Sequence, residues 1–204
     1  MLEPGLPARA PGSFLARHGN GYRFTAGPEA LDLNRFRALV TDARTFTGRA
    51  EPTQALERYA EALHLVQGRA GDGLADTPGA RVVFANLDDE FLEAVLAAAG
   101  IAVRLHRPAR MLAPLRRAAE MEPLHELVQA SLVTTLAAAG HRAEALTTYR
   151  VIRTRLADEL GIDPGSDLQQ AYRRILRVSA APAGFAKATR RTGPGRRPRT
   201  ARDG

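Results

Sequence analysis

The chain has 204 residues, 45% of them apolar, with few aromatics, no tryptophan and no cysteine. That length buries one good-sized core but crowds two full domains, and the missing cysteines exclude disulfides, thiolate zinc sites and cysteine nucleophiles, leaving the cytoplasm as the expected location. Of the formal charge of +7, the segment after Ala180 supplies six, seven basic side chains against Asp203, so the rest of the chain carries +1 and the basicity that would suggest a nucleic-acid partner belongs to the tail.

Residues 1–12 hold three prolines and two glycines. They lack the apolar core of a signal peptide and read as a disordered leader. No run reaches the roughly 18 apolar residues of a membrane span, so no membrane partner is expected. Residues 13–26 place two short apolar segments around Gly19, Asn20 and Gly21, a hairpin signal. An isolated hairpin is unstable in water and needs something to lean on.

Helical spacing begins at Asp32, a candidate N-cap, with Leu33, Phe36, Leu39, Val40 and Ala43 on one face and a stop at Gly48. Pro52 suits a first turn; Ala55, Leu56, Tyr59, Ala62, Leu63 and Val66 form the next stripe, closed by Gly68. The glycine-rich stretch 70–80 reads as a loop. A helix over 87–106 follows, with Asp88, Asp89 and Glu90 complementing its N-terminal dipole and an end or bend expected at Gly100. The reading then places helices over 110–121, 124–139, 142–160 and 165–178, with Pro114 a poor interior residue unless it lies in a first turn. Beyond Ser179 the Ala-, Pro-, Gly- and Arg-rich composition predicts disorder.

The helices repeat. Ala55/Tyr59/Ala62, Met111/Leu115/Ala118 and Ala145/Tyr149/Ile152 share one spacing, and Met111 lies 34 residues before Ala145 while Ala55 lies 56 before Met111. The shorter interval is the tetratricopeptide period, and the glycine-rich stretch accounts for the excess in the longer one. In such a pair a small residue sits where helices cross and a larger one fills the gap to the next pair. The expected fold is therefore all-α: three tetratricopeptide-like helical hairpins plus a capping helix, after a short β-hairpin.

The segment from Ala139 to Pro164, through Leu156-Ala157-Asp158-Glu159-Leu160-Gly161-Ile162-Asp163-Pro164-Gly165 and on to Leu176, closely resembles the end of the bacterial transcriptional activator domain of antibiotic-regulatory-protein-type regulators. Leu31-Asp32-Leu33-Asn34-Arg35-Phe36, Glu61-Ala62-Leu63, Gly68 and Leu74-Ala75-Asp76 resemble its opening helices. The chain departs from the family at 64–67, where a tryptophan is usual, at Val128-Gln129, and over 81–110. Gly19-Asn20-Gly21-Tyr22-Arg23-Phe24 resembles the last strand of a winged-helix DNA-binding domain, which in that family precedes the activator domain.

The resemblance implies leader 1–12, a remnant winged-helix hairpin 13–26, activator domain 31–178 and basic tail 179–204. It implies a truncated transcription regulator, its recognition helix missing, that works through protein contacts with the transcription machinery or another protein, or as a homodimer. Winged helices use the wing on phosphate or minor groove, which makes Arg17, His18 and Arg23 candidate DNA contacts. The tail's Arg190, Arg191, Arg196, Arg197 and Arg199 would hold phosphates nonspecifically and salt-sensitively. A free-standing scaffold that binds a peptide or partner protein is the alternative. No enzyme is expected: His18, His64, His106, His125 and His141 lack metal-ligand spacing, and no catalytic or cofactor motif occurs.

Overall fold

The structure, a computed structural model, describes residues 15–19, 21–24, 31–72 and 77–180. The leader and the segment 181–204, with every arginine singled out in the tail, lie outside the described residues. Strands β1 (Leu15–His18) and β2 (Gly21–Phe24) pair antiparallel, Leu15 opposite Phe24 and His18 opposite Gly21. After β1, Gly19 has φ 59°, the left-handed backbone that tight hairpin turns use.

Seven α-helices follow: α1 (Asp32–Gly48), α2 (Pro52–Leu65), α3 (Pro78–Arg104), α4 (Leu112–Met121), α5 (Glu126–Ala138), α6 (Arg142–Leu160) and α7 (Ser166–Ala180). α1 packs on α2, α3 on α4 and α5 on α6; α2–α3 and α4–α5 contacts join the pairs, and α7 closes against α5 and α6. The fold is thus all-α and tetratricopeptide-like, three helix pairs and a cap around one hydrophobic cluster running from Phe36 on α1 to Ile175 on α7. Many of the buried positions are small: Ala43, Ala55, Ala62, Ala98, Ala102, Ala118 and Ala145 are all fully buried, which lets helices pack closely. Leu56, Phe91, Leu115, Leu136 and Leu168 fill the spaces between, each contributing about 1.5–3 kcal/mol by leaving water.

The middle of the chain differs from the sequence expectation. α3 starts at Pro78, not Leu87, because Thr77 caps it by accepting a hydrogen bond from the Ala80 amide (3.3 Å) and Pro78 occupies the first turn. Its opening turns expose Val82 and Val83 and so lack the amphipathic signal that marks a helix. α3 also passes through Gly100 without a break and ends at Arg104. Asp32 lies inside the first turn of α1; the N-cap is Leu31, with no side-chain capping bond. Over 108–121 a 3₁₀ turn, Pro108–Met111, precedes α4, which puts Pro114 in the first turn of α4 where its missing N–H costs nothing. His125 caps α5: its Nδ1 accepts from the Val128 amide.

Candidate functional site

All nine residues of the repeated pattern are buried: Ala55, Tyr59 and Ala62 on α2, Met111, Leu115 and Ala118 at the head and core face of α4, Ala145, Tyr149 and Ile152 on α6. A second periodicity, in the backbone, runs beside this one. Ala50, His106 and Gly140 all have positive φ (59°, 55° and 88°). Each sits just past the end of the first helix of a pair, and the next amide donates to the carbonyl five residues back: Glu51 to Phe46 (2.9 Å), Arg107 to Ala102 (2.8 Å) and His141 to Leu136 (2.8 Å). Each of these left-handed residues lies five positions before Ala55, Met111 or Ala145. The same helix-ending turn therefore sets the angle inside every pair. Sequence reading missed it because only one of the three is glycine.

Side chains tie the pairs to each other. Arg69, in the loop after α2, donates to the Met121 carbonyl and to Glu122 (2.8 Å) at the end of α4, and pairs with Asp88 on α3 (3.7 Å). Asp88 in turn accepts from the Ala70 amide (2.8 Å), and Arg117 donates to the Val66 carbonyl. Gln129, buried on α5, donates to the carbonyls of Ala119 and Pro123 (3.2 and 3.0 Å). Glu126, at the head of α5, accepts from the Gly165 amide just before α7. Ion pairs Arg37–Glu90 (2.6 Å), Arg44–Glu93 (3.2 Å) and Arg116–Glu144 (2.7 Å) lace neighbouring pairs on the surface. The Arg37 guanidinium holds the Glu90 carboxyl below the usual glutamate range, against a smaller opposing effect of burial.

The candidate DNA contacts on the strands, Arg17, His18 and Arg23, are exposed. Arg23 is not free: it hydrogen-bonds His18 Nε2 across the strands (2.9 Å). Among the described residues every helix follows the strand pair and belongs to the stack. The other histidines serve locally or sit at the surface. His125 is a cap, His141 lies 3.8 Å from Glu144, and His106 is the left-handed residue of its turn. Among the described residues no cluster of acids and histidines could hold a metal ion, and no helix is long and apolar enough to cross a membrane.

A concavity of about 530 Å³ lies on the face where α3, α5 and α7 line up. α3 packs on α5 and α5 on α7, so the trough has a continuous helical floor. Leu96, Ala99, Val103, Leu127 and Ala130 line it, with Arg104, Thr135, Asp167 and Arg174 among the polar lining. A second depression of about 210 Å³ extends it through Thr134, Ala137, Ala138 and Arg142, sharing Thr134, Ala171 and Arg174. Sequence periodicity places Leu96, Ala99 and Leu127 on the apolar stripes of their helices without setting them apart from the core; the structure puts them at the trough instead. The one sequence signal was Gly100 with Leu96, Val103 and Arg104, which a helical projection puts on one side of α3.

A stack of helix pairs closed by a capping helix, with an open trough on one face, defines a helical repeat protein of the tetratricopeptide-like class. The comparisons specify it: the bacterial transcriptional activator domain matches residues 31–176, and the chain belongs to that family. Relatives include the transcriptional regulator RedD of Streptomyces coelicolor, 32% identical over 86% of this chain and 50% of its own length. The regulatory protein DnrI of Streptomyces peucetius is 30% identical over 78% and 58%. Among solved structures, Mycobacterium tuberculosis EmbR, in complex with a low-affinity phosphopeptide, aligns with a TM-score of 0.63 at 30% identity over 81% of this chain and 44% of its own. A tetratricopeptide-containing domain of a Plasmodium falciparum FK506-binding protein aligns with a TM-score of 0.51 at 12% identity, a likeness of fold alone. The chain spans about half the length of the curated relatives it matches. Those relatives are transcription regulators of antibiotic-regulatory-protein type.

Proposed function

We propose that this chain acts as the protein-contact module of such a regulator, in the cytoplasm, without catalysing a reaction and without reading DNA sequence itself. The observation that carries this is the continuous helical stack over the family match, with every described helix committed to it. A recognition helix enters the major groove from its own helix-turn-helix scaffold, and among the described residues every helix belongs to the stack. The partner is a component of the transcription machinery or a second copy of the chain. The phosphopeptide of EmbR is not carried over, since the alignment covers less than half of that protein.

Fusing the full chain to an unrelated DNA-binding domain and placing that domain's operator upstream of a reporter tests the reading: transcription rises above that given by the DNA-binding domain alone. A folded fusion that leaves the reporter at the basal level refutes it. On DNA, the chain by itself retards any duplex weakly and salt-sensitively, and deleting the residues after Ala180 removes the effect. Tight binding to one promoter at physiological salt, seen in the same gel assay, would count against the proposal. A free-standing scaffold with no link to promoters predicts an unmoved reporter.

A further inference from the structure

Resting on that protein-contact reading, we infer that the trough across α3, α5 and α7 binds an acidic, leucine-rich peptide segment of a partner protein, apolar side chains on the floor and carboxylates at Arg104 and Arg174. Five observations point the same way. Leu127 lies half exposed (50%) over a floor of Leu96, Ala99, Val103 and Ala130, so apolar surface is left uncovered in a concavity. In the trough wall Thr135 is 1% exposed, and its hydroxyl has no hydrogen-bond partner among the described residues. Orphaned buried hydroxyls are costly and rare, and the backbone of a segment lying in the trough would supply the missing partner.

The charges then select the occupant. Across the stack, Arg35, Arg37, Arg44, Arg58, Arg116 and Arg155 are held by glutamates. Arg104 and Arg174 lack such a partner among the described residues, as Arg107, Arg150 and Arg153 do elsewhere, and these two line the trough, where Asp167 is the only carboxylate. An unpaired guanidinium fork suits a carboxylate. The residues after Ala180 carry six of the chain's net positive charges and are the wrong sign to fill it. Shape argues for a segment and against a compact ligand, because the main concavity runs on into the second depression through Thr134, Ala171 and Arg174. Gly100 fits as well: it lies inside a 27-residue helix where a Cβ would meet only the Arg104 side chain, at 3.6 Å, so packing does not demand it, yet its absence of side chain widens the trough.

The test uses the full chain and a short fluorescent peptide alternating Leu and Asp, beside Leu/Asn and Leu/Lys counterparts of equal length, read by anisotropy. The Leu/Asp peptide binds tightest, and salt weakens it. Reversing both charges, Arg104→Glu with Arg174→Glu, costs the acidic peptide about tenfold in affinity and transfers the preference to the Leu/Lys peptide. Thr135→Val weakens the acidic peptide about threefold while leaving the free chain at least as stable, since it removes an orphaned hydroxyl at constant shape. Equal affinity for the three peptides, or a preference untouched by charge reversal, overturns the inference. The reporter fusion reads independently: activation without a peptide preference discards the trough chemistry and keeps the regulatory role, whereas the peptide preference without activation does the reverse.

Discussion

At the scale of single residues, Ala50 and His106 adopt a left-handed conformation that costs an L-residue about 1–2 kcal/mol. Each is retained because the turn it makes lets the following amide reach back five residues. Ala50→Gly and His106→Gly are therefore expected to stabilise the chain by about 0.5–1 kcal/mol each, after the extra flexibility glycine brings to the unfolded state. Gly140→Ala in the equivalent turn destabilises it by a similar amount; chemical denaturation midpoints at constant slope check all three. A second residue-scale expectation concerns acid. Glu90 is held below its ordinary range by Arg37, so its contribution is present above the unfolded glutamate value of about 4.3 and is lost as pH falls through the lower folded value. Since the pair is partly exposed, the effect is about 0.5 kcal/mol. Stability measured from neutral to acidic pH falls less steeply in Arg37→Ala than in the parent. Buried positions of the repeated pattern were legible from spacing. The turn residues were not, because alanine and histidine carry no sequence mark of left-handed backbone.

At the scale of elements, the contrast lies between α3 and the helices that resemble the family most closely. The α6–α7 region was readable because Gly161 ends one helix in left-handed backbone and the Asp163-Pro164-Gly165 run separates it from the next. Gly165 has a further role invisible in sequence: its amide donates to Glu126, and a Cβ there would lie 3.0 Å from that carboxylate. Gly165→Ala is expected to lower stability by about 1–2 kcal/mol, with the loss largely absent in a Glu126→Ala background, where calorimetry would show the two changes non-additive. Tyr149 on α6 and Tyr172 on α7 stack with centroids 4.2 Å apart and planes 9° from parallel. A double-mutant cycle to leucine is expected to give a coupling of about 1 kcal/mol. α3 was misread at both ends for one reason: its beginning has exposed valines and its interior has a glycine, so neither matches a one-faced helix. Gly100→Ala should raise its stability by about 0.5–1 kcal/mol, a thermal-melt shift that no steric clash opposes.

For the whole molecule, the three pairs and cap were legible because one four-then-three spacing recurs in three segments, 56 and 34 residues apart, on residues that are buried between helices. The surplus in the longer interval was assigned to a loop, and the structure gives part of it to the early turns of α3 instead. The trough was not legible. Its chemistry depends on arginines lacking partners, and absence of a partner is a property of three dimensions. The loop between α2 and α3 is pinned by Arg69 to Asp88, Met121 and Glu122, so one residue outside any repeat holds the first pair to the second. Arg69→Met is expected to destabilise the chain by about 2 kcal/mol, since it also leaves Asp88 and Glu122 without their cation. Limited proteolysis should then separate residues before and after the loop more readily than in the parent.

The recurring turn has one more consequence, for motion. Two of its three copies hold non-glycine residues in unfavourable backbone, and both belong to the first and second pairs. In a stack whose stability is a sum over neighbours, opening at those joints releases strain that opening at the third does not. Amides just after Ala50 and His106 would then exchange with solvent sooner than the amide of His141, and the array would breathe from its N-terminal side while the capped end stays shut.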